Sequence, residues 1–182
     1  MGSAIVVGLH GWAVAQPWLG SLAVLVADDG VWLLPPALIA AWFVGGPSRA
    51  ARQQAVLAGC LAAVVAVGLG LLLEHVLARP RPFVALGIQP LVPHAADSSF
   101  PSDHTLIGVA LVGALAWRVP RLGLWLLGWA LLVGLARVTA ALHYPSDILG
   151  SAVLALVLDG LALRAAATIA PRLPAWLSPP AG

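Results

Sequence analysis

The chain has 182 residues, of which 61% are hydrophobic and 9% charged, and its net charge is +2. A soluble domain needs more polar surface than this, so the composition points to an integral membrane protein. All nine basic residues are arginine and none forms a tract, which argues against nucleic acid as a partner. The single Cys60 excludes a disulfide framework or a cysteine-rich metal site and reads as a small packing residue.

In chain order, residues 5–15 and 18–27 are apolar stretches broken at Pro17. They read as two helices lying at the membrane interface in preference to one bent span, and no basic region precedes them as in a cleaved signal peptide. Asp28-Asp29-Gly30 reads as a turn into a first span at 31–45, with further spans at 55–73, 105–117, 122–136 and 148–163. Several fall short of the ~20 residues needed to cross a bilayer, so polar flanks are expected to extend them. Alternating strands and internal repeats are absent. The fold class is therefore all-α, a polytopic membrane bundle of about five to six helices in one domain. Residues 1–30 form the N-terminal helices, 31–164 the bundle and 165–182 a cytoplasmic tail.

The arginines orient the bundle. Arg49 and Arg52, Arg118 and Arg121, and Arg164 and Arg172 fall on one side by counting crossings, which the positive-inside rule makes cytoplasmic. Trp32, Trp42, Trp117 and Trp125 flank spans as interfacial anchors. Asp159, an acid in an apolar run, is expected to pair with Arg164 or Arg52, and His10 and His75 to sit at the interface.

Three polar islands then share the opposite, outer side: Arg79-Pro80-Arg81-Pro82-Phe83, Phe100-Pro101-Ser102-Asp103-His104-Thr105, and Arg137 followed by His143 and Asp147. Charges beside a bilayer are costly, so such clusters are functional by default. Arg81 and Arg137 offer guanidinium forks for a phosphate. Ser102 is an N-cap candidate, and the free amides of the helix it starts can hold phosphate oxygens while His104 donates a proton. Asp147 can accept a proton from one nitrogen of His143, leaving the other as a nucleophile. Each motif alone has a plainer reading: snorkelling arginines, a capped helix, an interfacial histidine. His94 and Asp97, on the preceding loop, either bind a second phosphate or are simple loop polars.

Taken together, the islands resemble the type 2 phosphatidic acid phosphatase (PAP2) superfamily. Arg81-Pro82 matches its first signature, Pro101-Ser102-Asp103-His104 its Pro-Ser-Gly-His, and Arg137, His143 and Asp147 its third spacing. The string from Pro93 to Thr105 looks like bacterial undecaprenyl-diphosphate phosphatases of the BcrC type. The resemblance implies removal of the terminal phosphate from a prenyl diphosphate at the outer face of a bacterial plasma membrane, without metal or cofactor. It implies His143 as a nucleophile that becomes phosphorylated, Asp147 as its orienter and His104 as the acid. Arg81, Arg137 and the Ser102–Asp103 region would bind phosphate. Two positions depart from the pattern: Glu74 stands where the family has lysine, and Asp103 where it has glycine. Glu74 is expected to pair with Arg79, to orient Arg81 or to be exposed; Asp103 must point away, pair with an arginine or be partly protonated. Arg79 is a spare phosphate ligand. Another lipid phosphate, such as phosphatidylglycerophosphate or phosphatidic acid, remains an alternative substrate. A non-catalytic transporter or channel is the alternative of a different class.

Overall fold

The computed structural model describes residues 2–46 and 48–169. Helices α1 (Gly2–Ala15), α2 (Pro17–Asp29), α3 (Leu34–Phe43), α4 (Arg49–Leu77), α5 (Pro82–Leu86), α6 (Asp103–Arg118), α7 (Pro120–Thr139) and α8 (Pro145–Ile169) follow one another, with one 3-10 turn at Gly30–Leu33. Among the described residues the only extended pairing is an isolated bridge between Pro80 and Ser98. The all-α expectation holds.

Helix α6 is the axis. Leu106, Val109, Ala110, Val112 and Leu115 are all fully buried, so it presents apolar surface on every side to α4, α7 and α8. Lipid tails are as apolar as leucine, so helices in a membrane associate through close packing rather than the hydrophobic effect, and small residues let backbones approach. Helix α4 supplies such a stripe in Ala55, Ala58, Gly59, Ala62, Ala66 and Gly70, all buried. At Gly59 an added Cβ would lie 2.3 Å from the Leu111 carbonyl oxygen of α6. At Gly134 of α7 it would lie 2.7 Å from Ile148 and 2.8 Å from Thr105.

Among the described residues four stretches are long and apolar enough to cross a membrane: Pro17–Phe43, Arg49–Leu77, Pro120–Thr139 and Pro145–Ala165. The 16-residue α6 runs buried among them. The N-terminal expectation changes here, because α2, the 3-10 turn and α3 run on as one 27-residue helical stretch. Asp28-Asp29-Gly30 lies within it and makes no turn. Gly30 keeps right-handed helical angles, and Trp129 Nε1 donates to its carbonyl at 2.7 Å. Pro35 and Pro36 fall in the first turn of α3, where a missing N–H is harmless. Of the two N-terminal helices, α1 remains short and separate. His10 on it is buried, and its Nδ1 lies 3.2 Å from the Thr139 carbonyl.

The two ends of the bundle differ. At one end Arg52 is buried and donates to the carbonyls of Ala41, Val44 and Gly45 and to Ser48 Oγ, closing the C-terminus of α3. It therefore does not reach Asp159, whose buried carboxyl oxygens face Gly113 of α6 without a hydrogen-bond partner, while Arg164 is exposed. The expected pairing of Asp159 is not formed. Cys60 is exposed beside Pro35, Trp42 and Val56, not packed in the core. Helix α8 continues to Ile169 beyond the expected boundary; Arg172 and residues 170–182 lie outside the described residues. The other end carries Asp28 and the loops 78–102 and 140–144, which bring the three islands together.

The α4–α6 contact yields a direct test. Gly59→Val forces α4 away from the Leu111 carbonyl and should destabilise the protein by about 1–3 kcal/mol, read as a lower unfolding temperature in detergent. Gly68→Ala, where nothing lies within 4 Å, should leave that temperature unchanged or raise it slightly.

Candidate active site

Two prolines and a glycine set the loops. Pro82 begins α5, and a residue before proline is held extended, so Arg81 (φ −64°, ψ 152°) leaves α4 in a fixed direction. Gly87, at φ +63°, ends α5 in the left-handed region that glycine enters freely. Pro145 begins α8. The 140–144 loop is bound to these pieces by Phe83 N–H donating to Ala141 (3.1 Å) and Leu91 N–H to Ala140 (3.2 Å). Ala141 is fully buried at φ +63°, a conformation that costs an L-residue about 1–2 kcal/mol and that these bonds hold in place.

The loop delivers His143 to the centre. The ring is 1% exposed. Its Nδ1 lies 2.7 Å from the Ser99 carbonyl and its Nε2 3.1 Å from Arg81 Nη1. A carbonyl only accepts and a guanidinium only donates, so Nδ1 carries the proton and Nε2 presents a bare lone pair. Burial, followed by the charges of Arg81 and Arg137, pushes the His143 pKa well below 6.5. The imidazole is neutral at pH 7.

Arg81 is 3% exposed and also donates from Nη1 to the Leu142 carbonyl (3.2 Å) and from Nε to Asp97 Oδ1 (2.5 Å). Arg137, equally buried, donates from Nη1 to the Ala27 carbonyl (3.4 Å) and from Nη2 to His94 Nε2 (3.1 Å), and lies 3.6 Å from Asp28. Its Nε is buried without a partner. The His94 pKa is lowered, chiefly by burial and then by Arg81, so its Nε2 can accept from Arg137. One loop thus supplies partners, Asp97 and His94, for both guanidinia. The half-buried His104 lies against the Asp28 backbone, and burial, followed by the charge of Arg137, pushes its pKa down to about 4.

The remaining candidates are placed less as expected. Ser102 is fully buried, with its hydroxyl on Thr105 Oγ1 (3.1 Å) and its amide donated to Ser151 Oγ (2.9 Å). Its own polar groups are thus engaged within the protein. Asp103 is exposed and forms no ion pair among the described residues, and a Cβ on Gly70 of α4 would lie 3.3 Å from its Oδ1. Glu74 is half-buried at the rim of an open cleft of about 500 Å³ that Arg79 and Asp97 also border, and it forms no ion pair among the described residues. Arg79 pairs with Asp147, donates to Ser146 Oγ (3.0 Å) and stacks 4.4 Å over the Tyr144 ring. Of the two Arg-Pro repeats, only the second reaches His143.

The expected bond between Asp147 and His143 is not made. Pro145 starts α8, so Asp147 sits in its first turn with Oδ2 turned back onto the Tyr144 N–H (2.8 Å), in the manner of a helix cap. The same oxygen accepts from Ser99 Oγ (2.5 Å), and the Ser99 carbonyl accepts the hydrogen bond from His143 Nδ1–H in its place. Sequence reasoning missed Asp28, Ser99, Tyr144 and Ser151. Asp28 left a signal as an acid in an apolar N-terminal stretch; the serines and the tyrosine left none.

The sequence model of the PAP2 superfamily matches residues 55–170. The chain belongs to that superfamily. It is 34% identical to the undecaprenyl-diphosphatase BcrC of Bacillus subtilis over 86% of this chain and 79% of that protein. It is 32% identical to the putative undecaprenyl-diphosphatase YbjG of Escherichia coli over 75% of this chain and 68% of that one. Its fold matches the crystal structure of a transmembrane PAP2-type phosphatidylglycerolphosphate phosphatase from Bacillus subtilis, with a TM-score of 0.67 and 24% identity over 92% of this chain and 85% of that one. The chain is a multi-pass membrane protein of this fold.

The Asp97–Arg81 pair predicts an effect on anion binding. Asp97→Asn removes a carboxylate that competes for the Arg81 guanidinium, so orthovanadate, a phosphate mimic, should bind several-fold more tightly by titration calorimetry in detergent. Weaker binding would mean that Asp97 supports the anion site and does not compete for it.

Proposed function

We propose that this lipid phosphatase of the PAP2 superfamily removes the terminal phosphate of undecaprenyl diphosphate at the extracytoplasmic face of a bacterial plasma membrane. The observation that carries the reading is the bare Nε2 of a buried, neutral His143 facing the Arg81 guanidinium. It is supported by kinship with the Bacillus subtilis undecaprenyl-diphosphatase over most of the chain. The arginines near the ends of α3, α4, α6, α7 and α8 away from the site favour that end as cytoplasmic.

The terminal phosphate displaces Asp97 from Arg81 and His94 from Arg137 and takes their places on the two guanidinia. Arg81 moves off Nε2 onto a phosphate oxygen, and the Nε2 lone pair forms a bond to phosphorus. The bridging P–O bond breaks, and its electron pair leaves on undecaprenyl phosphate. A phosphate anion between the two histidines favours a protonated His104, which gives its proton to the leaving oxygen. The oxygen of a water molecule then bonds to phosphorus while His104 accepts its proton, the P–Nε2 bond breaks with its electron pair returning to Nε2, and inorganic phosphate departs. The guanidinia stabilise the charge that builds on the equatorial oxygens in both steps.

Purified protein in detergent with EDTA should release phosphate from undecaprenyl diphosphate, and His143→Ala should abolish this. His104→Ala should slow phosphoenzyme formation by about 10²–10⁴-fold. Full activity of His143→Ala, or activity lost to chelation and restored by metal, would contradict the mechanism.

The pH dependence follows from His143. Its pKa lies below 6.5, so the nucleophile stays unprotonated as pH falls through 6.5 and is lost only at lower pH. The single-turnover rate at saturating substrate should therefore not fall between pH 7.5 and 6.5. A histidine-like loss of rate centred at or above 6.5 would contradict the assignment.

A further inference from the structure

We propose that Ser99 is the positioning residue through which Asp147 acts on His143: the carboxylate holds the serine and the serine holds the imidazole. The inference rests on the reading of His143 as the nucleophile and replaces direct orientation by Asp147.

Ser99 is fully buried, and each of its polar groups has one partner. Its N–H donates to the Arg79 carbonyl (2.7 Å), its Oγ donates to Asp147 Oδ2 (2.5 Å), and its carbonyl accepts from His143 Nδ1 (2.7 Å). The neighbouring Ser98 shows the contrast. Its hydroxyl serves its own loop, on the Phe100 carbonyl and the Arg79 amide. Ser99 instead joins two groups that belong to the third island and lie 44 and 48 residues further along the chain. Arg79 closes the assembly, since its carbonyl receives the Ser99 amide while its guanidinium pairs with Asp147.

The chemistry needs such a fixed carbonyl. When Nε2 forms its bond to phosphorus and the bridging oxygen leaves with its electron pair, the imidazole becomes a cation. Its Nδ1–H bond then changes from neutral to charge-assisted and strengthens. An acceptor stabilises that cation best if it is already in line and does not have to reorganise. The Ser99 carbonyl is kept in line by the two bonds on the rest of the residue, one of them to Asp147. No proton passes from His143 to Asp147 along this path, because a carbonyl has none to hand on. Asp147 contributes by pinning the serine.

Rates of phosphoenzyme formation in single-turnover experiments on full-length protein test this, using wild type, Ser99→Ala, Asp147→Asn, the double variant and His143→Ala. Loss of a hydrogen bond to a charged group predicts a rate about 10- to 100-fold lower for Ser99→Ala with substrate KM unchanged. The double variant should be no slower than the slower single variant. Ser99→Cys, which keeps the volume with a weaker donor, should fall between Ser99→Ala and wild type. Unfolding temperatures in parallel separate fold loss from rate loss, and Ser99→Cys carries the test if Ser99→Ala does not fold. A wild-type rate for Ser99→Ala, or rate losses that multiply in the double variant, overturns the proposal. Phosphoenzyme formed by His143→Ala overturns the nucleophile assignment itself.

Discussion

A guanidinium nitrogen can rest 3.1 Å from an imidazole nitrogen only if that nitrogen carries no proton. Much of the site is a consequence of this one contact. With Nε2 bare, the proton must sit on Nδ1, and in a buried place it needs an acceptor, which the Ser99 carbonyl provides. Ser99 must then be held, which Asp147 and the backbone of Arg79 do. Arg81, itself buried, needs a counter-charge, and Asp97 supplies it. Arg137 is balanced less fully, by Asp28 at 3.6 Å and by the neutral His94. An anion entering between the two arginines gains from both, and the unpartnered Nε of Arg137 marks remaining capacity in that region.

The bilayer explains why these groups gather at one end. Ionised side chains cannot be left unpaired among lipid tails, so the loops at the end of α4, before α6 and between α7 and α8 carry them. The spans below them are packed through alanine and glycine. That close packing matters to the chemistry, because α6 carries His104, α7 carries Arg137 and α8 carries Asp147. Gly134 lets α7 approach Thr105 and Ile148 just below the site, and a Cβ on Gly150 of α8 would meet the Phe100 ring at 2.7 Å. Relative placement of the islands thus depends on contacts between helix backbones in which side-chain polarity plays little part.

Helix class, the later spans and the convergence of the islands were legible in the sequence because hydropathy and motif spacing carry them directly. Arg81, and not Arg79, reaches His143 because the residue that leads into α5 lies beside the His143 loop. The N-terminal break at Pro17 is present, but the turn expected at Asp28-Asp29-Gly30 is not: two acids and a glycine read locally as a turn. In the fold they continue a helix that α7 supports through Trp129, and Asp28 faces Arg137. Asp159 illustrates the same difficulty. An acid in an apolar run suggests an ion pair, yet the face of α8 it occupies turns it towards Gly113, and Arg52 is consumed by the end of α3. Ser99 could not be found from spacing at all. Its main service is through a backbone carbonyl, which any residue possesses, and its hydroxyl becomes informative only when Asp147 is seen to have turned away from His143.

The most direct measurement of the central claim is the position of the phosphoryl group on the enzyme. Protein mixed with undecaprenyl diphosphate, quenched in alkali to preserve phosphoimidazole and mapped by peptide mass spectrometry, should carry one phosphoryl group, on His143. A phosphoryl group on His104, or rapid phosphate release with no phosphorylated histidine at any time point, would contradict the account.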